Sequence, residues 1–166
     1  MGEKNILLHC GAVDWKGRVY INKTLVGEDT GGYCAFTFDI TAFLQPGENE
    51  LVVGVYDPTD NGWQQRGKQV IQTHGFWYTA TSGIWQTVWL EAVSDCYVQG
   101  LKLLPDIDNG TLSLQTKLND ADGVALKAAV TFDGESVFSG DISSDAGVAV
   151  AVAQLWWPAD RDPYDR

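Results

Sequence analysis

The chain has 166 residues, enough for one domain or two small ones with a real core. Its 22 acidic residues against 11 basic ones give a formal net charge of -11, with no Lys/Arg cluster to offset it, which excludes a phosphate backbone as partner. No apolar run approaches the roughly 20 residues of a membrane-spanning helix, so no membrane role is read.

Cys10, Cys34 and Cys96 are odd in number and widely spaced, and His9 and His74 lie far apart. This predicts free thiols in or near the core, with no disulfide framework, no zinc site and no cofactor. The apolar patch in the first residues is too short for a secretory h-region, and both cytoplasm and periplasm stay open.

Seven Trp, six Tyr, six Phe and 18 Gly, set as short β-rich runs between turn signals, predict an all-β protein of antiparallel strands. Strands over 6–10, 18–21 and 24–26 come first, the last two joined by a tight turn at Asn22-Lys23. In the next strand, 36–40, Phe36, Phe38 and Ile40 alternate with Thr37 and Asp39, so one face is buried. Asp39-Ile40-Thr41 caps a single helical turn ending at Leu44, and Gln45-Pro46-Gly47-Glu48-Asn49 turns into a strand over 50–56, with Leu51, Val53 and Val55 on one face. Residues 57–82, rich in Gly, Gln and aromatics and weakly periodic, read as a long functional loop. Alternation returns over 84–90, predicting one strand with Trp85, Thr87 and Trp89 on one face.

A composition shift at 91–95 predicts a boundary near Ser94, dividing the chain into domains 1–93 and 94–166. The second repeats the strand grammar over 98–103, 112–118, 125–132, 137–138 and 148–152, with a hairpin turn at Asp133-Gly134.

Ordered blocks from Leu8 to Glu91 carry a family likeness: Leu8-His9-Cys10-Gly11-Ala12-Val13-Asp14-Trp15, Val19-Tyr20-Ile21-Asn22, Gly31-Gly32-Tyr33, Phe38-Asp39-Ile40-Thr41, Pro46-Gly47-Glu48-Asn49, and above all Ser82-Gly83-Ile84-Trp85-Gln86-Thr87-Val88-Trp89-Leu90-Glu91. Together they resemble the sugar-binding jelly roll of glycoside hydrolase family 2, which includes β-galactosidases, β-glucuronidases and β-mannosidases. Residues 94–166 are more loosely similar to the immunoglobulin-like sandwich that follows it, through Pro105-Asp106-Ile107-Asp108-Asn109-Gly110 and Leu155-Trp156-Trp157-Pro158. The resemblance implies a partial jelly roll followed by a small immunoglobulin-like β-sandwich, trimmed at both ends. It also implies that the catalytic glutamates of a retaining glycosidase lie on a TIM barrel absent from these 166 residues. No catalytic residue is therefore assigned. The missing barrel of the parent chain, a carbohydrate, and a second copy docked on exposed strand edges are the expected partners.

Sugar contact is expected in two segments of the loop, 63–68 and 74–82, where Trp63, Arg66, Lys68, Trp77 and Tyr78 combine ring faces with hydrogen-bond donors in an otherwise acidic chain. The same loop also reads as solvated cover packing on the barrel. Asp57-Pro58-Thr59-Asp60 reads as an Asx-Pro turn, and Asp14, Trp15, Trp85 and Trp89 as core residues. Three functions stand: a non-catalytic front region bracing the barrel and lining the pocket rim, a free-standing carbohydrate-binding module, and an enzyme using Asp57, Asp60 or His74.

Overall fold

A computed structural model describes residues 5–120 and 123–149, which divide into two compact units between Ser94 and Asp95. The expected features at Leu155, Trp156, Trp157 and Pro158, and the end of the strand predicted over 148–152, lie outside the described residues.

In the first unit the strands are β1 (Asn5–Cys10), β2 (Val13–Asp14), β3 (Lys16–Ile21), β4 (Thr24–Thr30), β5 (Phe36–Asp39), β6 (Leu51–Tyr56), β7 (Gln69–Val70), β8 (Tyr78–Thr79), β9 (Gly83–Ile84) and β10 (Val88–Val93). Two three-stranded sheets, ordered β10-β1-β5 and β4-β3-β6, enclose the core. Leu8 and Cys10 project from the first sheet and Val19 and Ile21 from the second, with Val13 and Ile40 completing a fully buried cluster. Each such aliphatic contributes about 1.5–3 kcal/mol by leaving water. Phe36 and Phe38 pack against the cluster from alternate positions of β5, as their period of two requires.

The β3–β4 turn has φ of 50° at Asn22 and 68° at Lys23, the left-handed pair of a type I′ hairpin. Asn22 also ties this hairpin to the approach to β6. Its Nδ2 donates to the Phe43 carbonyl at 3.1 Å and to Asn49 Oδ1 at 2.8 Å, while its Oδ1 accepts from Glu50 N at 3.0 Å. The helical turn is a 3-10 turn, Thr41–Phe43, entered where Asp39 Oδ1 accepts from Thr41 N at 2.9 Å.

The single strand expected over 84–90 is two pieces. β9 pairs with β2, β10 pairs with β1, and the chain between them leaves the ladder at Trp85, Gln86 and Thr87. The partner strand breaks opposite, at Gly11-Ala12, where Gly11 N donates to the Thr87 carbonyl at 2.8 Å. A side chain at Gly11 would stand 2.7 Å from Gln86 Cβ, so the two strands cross too closely there for any other residue. Trp85, in the break, and Trp89, on β10 and paired with His9, do not fill the core that they were expected to fill. Trp85 is 51% exposed and Trp89 45%, the latter stacked on His9 with ring centroids 4.7 Å apart.

The thiol expectation holds for Cys10, which is fully buried, whereas Cys34 is exposed and Cys96 intermediate; all three are free. Cys34 follows the tight Gly31-Gly32-Tyr33 bend outside the ladder, where no sheet covers it.

The second unit contains β11 (Val98–Asp106), β12 (Thr111–Leu118), β13 (Leu126–Phe132), β14 (Glu135–Ile142) and β15 (Asp145–Ala149). They form an antiparallel sheet β11-β12-β15 and a hairpin β13-β14. Among the described residues of this unit, Leu114 on the central β12 is the buried apolar one. The β13–β14 turn at Asp133 and Gly134, with φ of 49° and 84°, is again left-handed at both positions. Both units are thus built of strands, the all-β architecture that the sequence implied.

Candidate functional site

The first unit holds a cup of about 260 Å³ lined by Asp14, Tyr33, Gln69, Thr81, Ser82, Gly83 and Trp85. Asp14, at the end of β2, faces Gly83 of β9 across the ladder, so the short β2–β9 pairing presents a carboxylate to the mouth of the long loop. Asp14 is only 8% exposed, and its Oδ1 is buried without a hydrogen-bond partner. Leaving a buried acceptor unsatisfied costs about 1–3 kcal/mol, so this oxygen burdens the folded state. Burial, and secondarily the charge of Asp57, pushes the Asp14 carboxyl above its ordinary range.

The walls are held in place by bonds within the unit. Trp85 Nε1 donates to the Gly32 carbonyl at 2.7 Å, and the Tyr33 ring meets the indole edge-on with centroids 5.8 Å apart. Ser82 Oγ donates to Asp57 Oδ2 at 2.7 Å, while Thr81 donates through N and Oγ1 to Gln69 Oε1 at 2.6 and 2.9 Å. The cup therefore combines two aromatic rings, hydroxyls, an amide and one unsatisfied carboxylate oxygen. That mixture suits a pyranose, whose apolar face stacks on a ring while its hydroxyls donate.

Residues 1–93 match the sugar-binding domain of the glycosyl hydrolases family 2. The chain belongs to this family. Among its relatives, the β-galactosidase of Thermoanaerobacter pseudethanolicus is 28% identical over 103 residues, covering 62% of this chain and 13% of that protein. The solved β-glucuronidase of Bacteroides uniformis is 28% identical with a TM-score of 0.65, covering 89% of this chain and 18% of its own. The β-D-glucuronidase of Dictyoglomus thermophilum superposes with a TM-score of 0.73 at 21% identity, over 94% of this chain and 29% of its own, a likeness of fold. This family 2 chain spans at most 16% of the length of the curated relatives it matches.

Beside the cup, the family 2 domain folds 57–82 into a braced loop. Asp57 Oδ1 accepts from Thr59 N at 2.7 Å, an Asx turn, and the buried Gln64 donates to the Thr59 carbonyl at 2.7 Å. Parallel pairing of β7 with β8 joins its two limbs. Three of the residues expected to touch sugar come together on it: the Arg66 guanidinium lies 5.8 Å from the Trp77 ring centroid, Lys68 Nζ lies 5.6 Å from that of Phe76, and the two rings stack 5.1 Å apart. Arg66 Nη1 also donates to the Asp60 carbonyl at 3.2 Å. Trp63 stands apart from them, 91% exposed, with its ring edge-on to Trp15. Tyr78 is exposed on β8. None of the five lines the cup.

Thr81 and Ser82 fall in the segment 74–82 where sugar contact is expected from sequence, and Gln69 in the same long loop, whereas Asp14, Tyr33 and Trp85 are not placed with them by sequence reasoning. Asp14 was read as core, and it is buried, but as a charged wall of a cavity. The available signal was an acid in a β-rich run followed by a far-off Ser-Gly-Ile-Trp run, with Gly32 free to bend between them.

Proposed function

We propose that this chain is the non-catalytic front region of a retaining family 2 glycosidase acting on O-glycosyl bonds in carbohydrate metabolism. It braces the catalytic barrel and supplies the rim of the sugar pocket. The observation that carries this reading is the Asp14 cup, in which a buried carboxylate shares the lining with the rings of Trp85 and Tyr33. Trp63, Arg66, Lys68, Trp77 and Tyr78 extend the polar and aromatic surface on the neighbouring loop. The division into a sugar-binding domain 1–93 and an immunoglobulin-like domain 94–166 is part of the same reading, as is a dimer formed through strand edges.

Titrating the chain with methyl β-galactoside, methyl β-glucuronide and methyl β-mannoside, beside nitrophenyl glycoside assays, tests it. Weak binding of one sugar that is lost in Asp14→Asn and Trp85→Ala, without turnover, is the expected result. Turnover that vanishes in Asp57→Asn or His74→Ala would overturn it. Tight binding by the isolated chain would favour the alternative, a free-standing carbohydrate-binding module.

A further inference from the structure

The outer face of the β4-β3-β6 sheet carries a second concavity, of about 540 Å³, lined by Lys16, Arg18, Tyr20, Gly54 and Tyr56, with Val55 at its margin. Register explains the grouping. Arg18 pairs with Gly54, Lys16 with Tyr56 and Tyr20 with Val52, so these side chains share one face while Val19 and Val53 point into the core. Within that face Gly54 is a notch in the middle of an edge strand.

Glycine weakens a strand interior and there usually marks a close approach, by another part of the fold or by a ligand. The fold does not explain this one. Its φ lies outside the left-handed region, and a Cβ added there would meet nothing nearer than the Arg18 carbonyl and Tyr20 Cε2, both at an ordinary 3.9 Å. The space above Gly54 is open within the chain, with the partly buried Tyr20 ring on one side and the exposed Tyr56 ring on the other.

The charge of the face also departs from the acidic balance of the chain. Lys16 Nζ donates to Glu28 Oε1 at 2.8 Å and Arg18 Nε to Glu28 Oε2 at 3.1 Å, so one carboxylate serves two cations. The neighbouring acids do not make up the difference. Asp29 pairs with Gly17, on the opposite face, and Asp57 is held by Thr59 and Ser82. A chain of net charge -11 thus keeps a cationic excess beside an aromatic notch.

We propose that this face is a second glycan-binding site, distinct from the Asp14 cup, for a sugar chain that carries carboxylates. A pyranose lies over Gly54 between Tyr20 and Tyr56, and its uronate group takes the donors that Arg18 and Lys16 do not spend on Glu28. A pyranose ring needs the space that any larger residue at position 54 would fill. An anionic sugar needs the charge, and guanidinium pairs with carboxylate in a directed, bidentate way.

The test is calorimetric titration of the 166-residue chain with trigalacturonate and, as the uncharged counterpart, cellotriose. The wild type is expected to bind trigalacturonate, more weakly as salt is raised, and to bind cellotriose at least about tenfold more weakly. Gly54→Val and Tyr56→Ala each weaken trigalacturonate binding about tenfold or more, the scale of one lost stacking contact together with the occluded space. Gly54→Val leaves the methyl glycoside binding assigned to the cup unchanged, which separates the proposal from the reading of the cup. Gly54→Val keeps or raises the melting temperature. No binding of trigalacturonate, equal binding of cellotriose, or binding that survives both Gly54→Val and Tyr56→Ala would overturn the proposal. So would a fall in melting temperature for Gly54→Val, because the glycine would then be a need of the fold.

Discussion

Asp14 and Gly32 are fitted against each other: a Cβ at Gly32 would stand 2.8 Å from Asp14 Oδ1, and Gly32 holds φ at 80°. Any L side chain there meets both a strained backbone and a buried carboxylate, while the Gly32 carbonyl must still accept from Trp85 Nε1. Gly32→Ala is expected to destabilise the first unit by about 2 kcal/mol or more, from the left-handed backbone and the overpacking together. Urea titration followed by tryptophan fluorescence reads this directly. An unchanged midpoint would show that the bend relaxes without cost.

The ionisation of Asp14 gives a pH signature. Burial and the nearby Asp57 raise its folded pKa above the unfolded value, so the folded state binds a proton more tightly than the unfolded one. Stability from this group therefore falls as pH rises through the window between the ordinary carboxylate pKa and the raised value, and it stays reduced at neutral pH. Asp14→Asn removes that burden. Its melting temperature should exceed the wild type's at pH 7, by an amount on the order of 1 kcal/mol in free energy, and the two should converge on acidification. A gap that widens as pH falls would contradict this assignment of sign.

Local signals made much of the fold legible, and the cup was hidden because its parts meet only in three dimensions. Asn22-Lys23 and Asp133-Gly134 announce their hairpins, since Asn22, Asp133 and Gly134 tolerate positive φ. Phe36, Phe38 and Ile40 show their buried face by alternation alone. The Asx turn at Asp57 is likewise closed by a residue two positions on. In contrast, the run from Ile84 to Leu90 alternates straight through the place where the ladder breaks, because the break is imposed by Gly11 on a distant strand. The same displacement carries Trp85 to the rim of the cup, opposite an acid whose burial no nearby residue foretells.

The thiols should separate by reactivity. Cys10 is fully buried, and desolvation, with the charge of Asp29 second, pushes its thiol further above its ordinary value, which suppresses the reactive thiolate. Cys34 is exposed. A disulfide reagent at pH 8 is expected to label Cys34 rapidly and Cys10 only at the rate of unfolding, with Cys96, whose Sγ donates to the Asp120 carbonyl, in between. Peptide mass mapping over time settles the order, and early labelling of Cys10 would mean that the two sheets open readily.

Asn22 offers the sharpest test of how the first unit is closed. Its left-handed backbone is one that asparagine tolerates and alanine resists, and its amide joins three separate segments: the hairpin, the 3-10 turn through Phe43, and the turn before β6 through Asn49 and Glu50. Asn22→Ala loses both terms, while Asn22→Gly keeps the backbone freedom and loses only the side-chain bonds. The alanine variant is therefore expected to cost about 2–3 kcal/mol and the glycine variant about 1 kcal/mol less than that. Equal losses in the two would show that the side-chain network carries the whole effect. A glycine variant as stable as the wild type would show instead that only the turn matters, and that the amide bonds merely replace bonds to water.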